Sequence, residues 1–167
     1  MKELGKIYLV GMPGSGKSYL GKPLALKLNA PFIDMDDVIE SREGRSISDI
    51  FSQSGEDYFR QVESNVLHDL SEEYSNAIIS TGGGAPCFHE GIDFMNDQGI
   101  TVFLKTDKSI LFERLARKSH RPLMQGDVVS KTEALLKKRL PIYEKAHLAI
   151  SHRDVSLLID SLLALRS

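Results

Sequence analysis

Residues 11–18 read G-M-P-G-S-G-K-S, and the apolar residues 7–10 lead directly into them. A strand that ends in G-x-x-x-x-G-K-S and opens a helix is a phosphate-binding loop. Gly11, Gly14 and Gly16 let the backbone fold tightly enough for successive N–H groups to face one anion. The helix that starts near Lys17 adds the positive end of its dipole. Lys17 is expected to reach the β- and γ-phosphates of a nucleoside triphosphate, and the Ser18 hydroxyl to sit on Mg²⁺.

The rest of the chain continues this strand-then-helix unit. Short apolar runs at residues 7–10, 32–33, 77–80, 101–104 and 148–150 predict buried parallel strands. Between them, helical periodicity predicts helices over 19–28, 38–43, 48–51, 56–71, 91–97, 108–118, 131–140 and 155–165. Asp37 and Glu40 form a D-x-x-E capping box for the second of these, Gly44 stops it, and Gly55 divides the third from the fourth. Ile110, Leu111 and Leu115 are expected to face inward, whereas the polar residues 119–129, broken by Pro122 and Gly126, belong to no core. The pattern is a three-layer α/β domain with a parallel sheet and right-handed crossovers.

At 167 residues and 41% hydrophobic, the chain can bury a core without disulfides or metal. The lone Cys87 fits a reducing cytoplasm, and the histidines show no metal-ligand spacing. The first residues form neither a secretory signal nor a membrane span. A net charge of −2 argues against nucleic acid as a partner but leaves room for small anions held by a local cluster of cations.

Asp34 and Asp36 follow the second strand, at the sheet edge where ligands collect. Residues two apart in extended chain face the same way, so both carboxylates can enter one site while Asp37 caps the next helix. One would hold Mg²⁺ through water and the other take a proton from an acceptor hydroxyl; Asp36 as a plain N-cap is the competing reading. Gly82, Gly83 and Gly84 in succession imply that something approaches the backbone closely, a flexible loop being the alternative. Arg60, Arg121 and Arg139 stand on separate segments. Singly each reads as a solvated charge, Arg60 beside Glu63 and Arg139 beside Glu144; together they suit an anionic acceptor and a transferring phosphoryl group. Arg121, followed by Pro122, suits a mobile lid that excludes water.

In this order and spacing the motifs resemble those of the shikimate kinase family, within the nucleoside monophosphate kinase-like P-loop fold. They are the loop at 11–18, the D-x-D of Asp34 and Asp36, the G-E-x-x-F-R-x-x-E of 55–63, the S-T-G-G-G of 80–84, the R-P-L of 121–123 and the R-x-x-x-Y of 139–143. The resemblance implies a single α/β/α P-loop kinase domain over 1–167, with a five-stranded parallel sheet in the order 23145, a substrate-binding region at about 35–63 and a lid at about 116–129. It implies that Gly14, Ser15, Gly16, Lys17, Ser18 and Tyr19 hold ATP together with Arg121 and with Arg114, for which Arg117 competes. Asp36, Arg60, Arg139 and Gly82 to Gly84 would hold shikimate, and Ser18 and Asp34 would hold Mg²⁺. Lys17, Asp36 and Arg121 would carry the transfer from ATP to the 3-hydroxyl, giving 3-phosphoshikimate and ADP in the biosynthesis of chorismate and the aromatic amino acids. A cytoplasmic monomer is the family default.

One segment departs from the family pattern. Where many members carry a D-T pair in the loop that meets adenine, this chain has Ser151-His152-Arg153-Asp154, a change expected to touch nucleotide affinity more than chemistry. Gluconate kinases and nucleoside monophosphate kinases share the loop and lid but lack the D-x-D, F-R and triple-glycine set. A guanine-reading switch would need an N-K-x-D motif, which is absent.

Overall fold

Ile7 and Leu9 face one side of the first strand and Tyr8 and Val10 the other, and all four are fully buried. A strand covered on both faces belongs in the middle of a parallel sheet flanked by helices. The computed structural model, which describes residues 4–118, 125–151 and 153–167, has that form. Strands β1 (Lys6–Val10), β2 (Phe32–Asp34), β3 (Ala77–Ser80), β4 (Ile100–Leu104) and β5 (Leu148–Ile150) pair in parallel in the order β2-β3-β1-β4-β5. The sheet order implied by the motifs is thus observed.

Seven helices lie between and after the strands among the described residues: α1 (Lys17–Leu28), α2 (Met35–Glu43), α3 (Ile47–Glu73), α4 (Gly91–Gln98), α5 (Lys108–Lys118), α6 (Gln125–Tyr143) and α7 (Val155–Ala164). Leu20 and Leu24 of α1 join Leu158 and Leu162 of α7 over Ile7 and Leu9. On the opposite face Phe59 and Val66 of α3, Met95 of α4, Leu111 of α5 and Tyr143 of α6 cover Tyr8 and Val10. Register pairs Asp34 with Ser80, Ser80 with Leu9 and Leu9 with Val102, so every loop leaving a strand C-terminus emerges along one edge.

Several boundaries differ from those expected. Helix α2 starts at Met35 rather than 38, because the Asp34 carboxylate captures the Asp36 amide at 3.0 Å and winds the chain at once; Asp34, not Asp37, is the N-cap. Glu40 closes no capping box and instead accepts from the Ile47 amide at 3.4 Å. Gly55 breaks α3 as expected, with φ 83° and ψ 171°. Ile110 is 38% exposed while Leu111 alone of α5 is buried, so the inward stripe of that helix is narrower than its sequence suggests. Helix α6 begins at 125 and runs through Pro141, ending at Tyr143, so it absorbs part of the polar stretch. Its C-terminal turn persists because Leu140 and Tyr143 pack into the core.

Gly21 sits where α1 crosses the sheet. A Cβ there would meet Phe32 at 2.5 Å and Leu9 at 2.9 Å. Gly21→Ala is therefore expected to lower stability by about 1–3 kcal/mol, read as a shift in the urea unfolding midpoint with an unchanged slope.

Candidate functional site

Glycine conformation comes first, because it shapes the loop after β1. Gly11, Gly14 and Gly16 have φ of 148°, 80° and 91°, values that side-chain-bearing residues avoid. Gly16 caps α1 without any side-chain acceptor, which leaves the first-turn amides of the helix open to an anion. Amides committed to an anion turn loop carbonyls outward, where they need donors. Lys17 Nζ donates to the carbonyls of Gly11 (2.9 Å) and Met12 (3.0 Å), Arg114 Nη1 to Gly14 (2.6 Å) and Arg153 Nη2 to Ser15 (2.7 Å). Burial pulls the Lys17 ammonium down to about 8, against the charges of Asp36 and Asp34, which hold it up.

Beside the loop, Ser18 Oγ donates to Asp34 Oδ2 at 2.9 Å. Asp34 therefore bridges α1 and α2 through one oxygen each. Asp36 stands in the first turn of α2, not in extended chain, and the two carboxylates are near enough to interact. Burial first, and Asp34 second, raise the Asp36 carboxyl above the ordinary carboxylate range, with Lys17 opposing.

The next layer lies on α3 and the triple glycine. Arg60 is only 8% exposed, which excludes the solvated reading, yet it does pair with Glu63, at 2.9 Å, and with Glu56 at 3.3 Å. The Arg60 guanidinium lies 4.2, 5.1 and 5.9 Å from the ring centroids of Phe88, Phe59 and Phe51, an arrangement suited to a planar cation. Burial raises the Glu63 carboxyl, and Arg60 holds it back. None of Gly82, Gly83 and Gly84 has a positive φ; what they supply is space. A Cβ on Gly82 would lie 2.7 Å from Glu63 Oε2 and 3.2 Å from Asp36 Oδ1, one on Gly83 2.9 Å from Arg139 Nη1, and one on Gly84 2.4 Å from Arg60 Nη1. The three glycines thus bring Asp36, Glu63, Arg139 and Arg60 onto one wall.

Arg139 arrives from α6, 8% exposed and with no carboxylate partner among the described residues; Glu144 does not pair with it. One turn on, Tyr143 donates its hydroxyl to the Gly83 carbonyl at 2.5 Å, and burial pushes that phenol well above its usual value. On the nucleotide side the structure separates the two competing arginines. Arg114 lies on the loop, whereas Arg117 is in solvent, paired with Glu113. Tyr19 is 78% exposed. Arg121 lies outside the described residues. The sequence does not mark Phe51, Phe88 or Arg153 as site residues: rings that flank an arginine through tertiary packing leave no periodic signal, and Arg153 stands in the segment that departs from the family pattern. A cavity of about 490 Å³ opens behind the loop, between Met12, Leu111, Arg114, Leu136, Ser151 and Arg153.

A phosphate loop at the C-terminal edge of a parallel sheet, facing a wall of buried cations and carboxylates, defines a P-loop small-molecule kinase. The family model described as Shikimate kinase matches residues 13–161. A shikimate kinase of Bacteroides thetaiotaomicron is 44% identical over 146 residues, covering 84% of this chain and 83% of that one. The shikimate kinase of Acinetobacter baumannii, solved in complex with shikimate, superposes with a TM-score of 0.87 at 36% identity, covering 98% of this chain and 95% of that one. That of Aquifex aeolicus gives 0.81 at 38% identity, covering 96% and 98%. The chain belongs to the shikimate kinase family, ATP-dependent kinases that transfer phosphate to a shikimate hydroxyl.

Tyr143→Phe keeps the ring packed 5.1 Å from Phe103 but takes the hydroxyl donor from the half-buried Gly83 carbonyl. A loss of about 1–3 kcal/mol is expected in chemical denaturation, larger than a surface Tyr→Phe control such as Tyr58→Phe.

Proposed function

We propose that the chain moves the γ-phosphoryl of ATP to the 3-hydroxyl of shikimate, giving 3-phosphoshikimate and ADP on the route to chorismate and the aromatic amino acids. The observation that carries this reading is the convergence of Arg60, Arg139 and Asp36 on the glycine wall, next to the cradle that ends in Lys17 and Ser18. An acceptor with one carboxylate and several hydroxyls matches that wall. Its carboxylate would meet Arg139 and the Nε–Nη2 edge of Arg60, taking the place of the half-exposed Glu56 that holds this edge at 3.3 Å, while Nη1 is spent on Glu63. Its hydroxyls would meet Asp36 and the peptide groups of Gly82 to Gly84.

The acceptor oxygen attacks the γ-phosphorus, its proton passes to Asp36, and the bond to the ADP oxygen breaks, with the electron pair leaving on ADP. The raised proton affinity of Asp36 suits a base that must take a proton from an alcohol. Lys17 is the donor ready to leave the Gly11 and Met12 carbonyls for phosphate oxygens, and Arg121 would add its charge from a lid over about 116–129. Gly14, Ser15, Gly16 and Ser18 would cradle the phosphates, with Arg114 nearer the base. Tyr19, exposed on the first turn of α1, supports a contact only at the nucleotide rim.

The pair Ser18 Oγ and Asp34 Oδ2 offers hard oxygens of the kind Mg²⁺ takes when phosphates and water complete its shell. No cluster of three or more metal-binding side chains lies among the described residues, which fits a cation held chiefly by nucleotide. When bound, it would neutralise charge between the β- and γ-phosphates. Among the described residues no helix is long and apolar enough to cross a membrane, and a cytoplasmic monomer, one domain over 1–167 with its acceptor region at about 35–63, completes the reading.

A coupled ADP-release assay across shikimate, gluconate, AMP and UMP tests it: turnover should need shikimate, and absence of shikimate-dependent ADP overturns the proposal. In Asp36→Asn, kcat should fall about 10²- to 10⁴-fold with an unchanged thermal midpoint; near-normal kcat would remove Asp36 as the base. A third expectation concerns pH. With its folded pKa lowered to about 8, Lys17 is half deprotonated there in the free enzyme, and incoming phosphate restores its proton. ATP binding at pH 8 should therefore take up protons, and affinity should fall as pH climbs past that value. Calorimetry in buffers of different ionisation enthalpy reads the uptake, which Lys17→Arg should abolish.

A further inference from the structure

Arg153 has no role in the scheme above, yet one nitrogen of its guanidinium reaches the phosphate loop. From the connection between β5 and α7, Nη2 donates to the Ser15 carbonyl at 2.7 Å, to Thr106 Oγ1 at 2.7 Å and to the Lys105 carbonyl at 3.2 Å. Thr106 Oγ1 also donates to the Ser15 carbonyl, at 3.3 Å. One side chain therefore ties together the segments that leave β1, β4 and β5.

The tie acts on a particular peptide. In a trans peptide the C=O and the following N–H point in opposite directions within one rigid plane. Holding the Ser15 oxygen outward aims the Gly16 amide the other way, toward the anion cradle. Gly16, at φ 91°, has the freedom to let this plane turn, so an external restraint is needed. Arg153 Nε and Arg114 Nη1 stand 3.5 and 3.8 Å from the position of a Gly16 Cβ. The Arg153 charge is disfavoured by burial and by Arg114 beside it. An anion in the cradle relieves that repulsion, so the pair is arranged for a filled loop.

We propose that Arg153 is a positioning residue for the polyphosphate: it sets the direction of the Gly16 amide through the Ser15 carbonyl, and it does not read the base. The inference rests on the reading that this cradle holds the triphosphate of ATP.

Calorimetric titration of the full chain with ATP, inorganic tripolyphosphate (each with equimolar magnesium) and shikimate tests it in wild type, Arg153→Met, Arg153→Lys and Thr106→Val. Arg153→Met should weaken ATP and tripolyphosphate by the same factor, about 10- to 100-fold for a lost charge-assisted tie, and shikimate by less than twofold. Arg153→Lys should recover part of the loss. Thr106→Val, a milder change that keeps the arginine, should weaken the same two ligands by a smaller factor. Loss of ATP binding with tripolyphosphate unchanged assigns Arg153 to the base and overturns the proposal. Equal loss of shikimate binding marks a general defect, and unchanged affinities mark an idle contact; either overturns it too. Wild-type protein that binds neither ATP nor tripolyphosphate would instead defeat the underlying reading of the cradle.

Discussion

A peptide cannot aim its N–H at an anion without turning a carbonyl away from it, and the site is built around satisfying the carbonyls so turned. Residues 11–18 satisfy only part of these carbonyls themselves, Lys17 folding back onto those of Gly11 and Met12, so further cationic donors come from elsewhere: Arg114 from α5 and Arg153 from beyond β5. Bonds from charged donors of this kind contribute about 1.5–3 kcal/mol each. They are available only because the parallel sheet delivers the ends of β1, β4 and β5 to one edge. The loop and the sheet order are in this sense one requirement.

Charge is distributed by the same logic. Asp34 approaches from the end of β2, Asp36 from α2 and Glu63 from α3, and Lys17, Arg60 and Arg139 from α1, α3 and α6. The carboxyls of Asp36 and Glu63 are pushed up and the ammonium of Lys17 down, so each charged form is less secure than in water. Glu63 is neutralised internally by Arg60; Arg139 is not matched by a carboxylate among the described residues. The imbalance leaves a buried cation against Gly83, in the middle of the glycine wall, unmatched by a carboxylate among the described residues.

Elements governed by period or by a fixed motif were legible in the sequence. The strands, the loop, the break at Gly55, and the helices α4 and α5 lie within a residue or two of their expected positions. The start of α2 was not legible, because it depends on one carboxylate capturing one amide at Asp34 rather than on hydrophobic spacing. The end of α6 was hidden by Pro141, whose usual stop signal is overridden by burial of Tyr143. Candidate site residues could be named, yet their spatial relations could not. That Phe88 covers Arg60, or that Arg153 reaches Ser15 across 138 positions, follows only from packing.

The glycine wall has a lasting consequence for what the pocket can become. Gly82, Gly83 and Gly84 already present bare peptide to Glu63, Arg139 and Arg60, and no residue is smaller. Mutation on this side can only narrow the pocket. A relative selected for a bulkier acceptor would have to gain its room by displacing α2 or α3, at the cost of the contacts that hold Asp36 and Arg60. Room beside these glycines is in this way tied to the placement of whole helices rather than to the choice of one side chain.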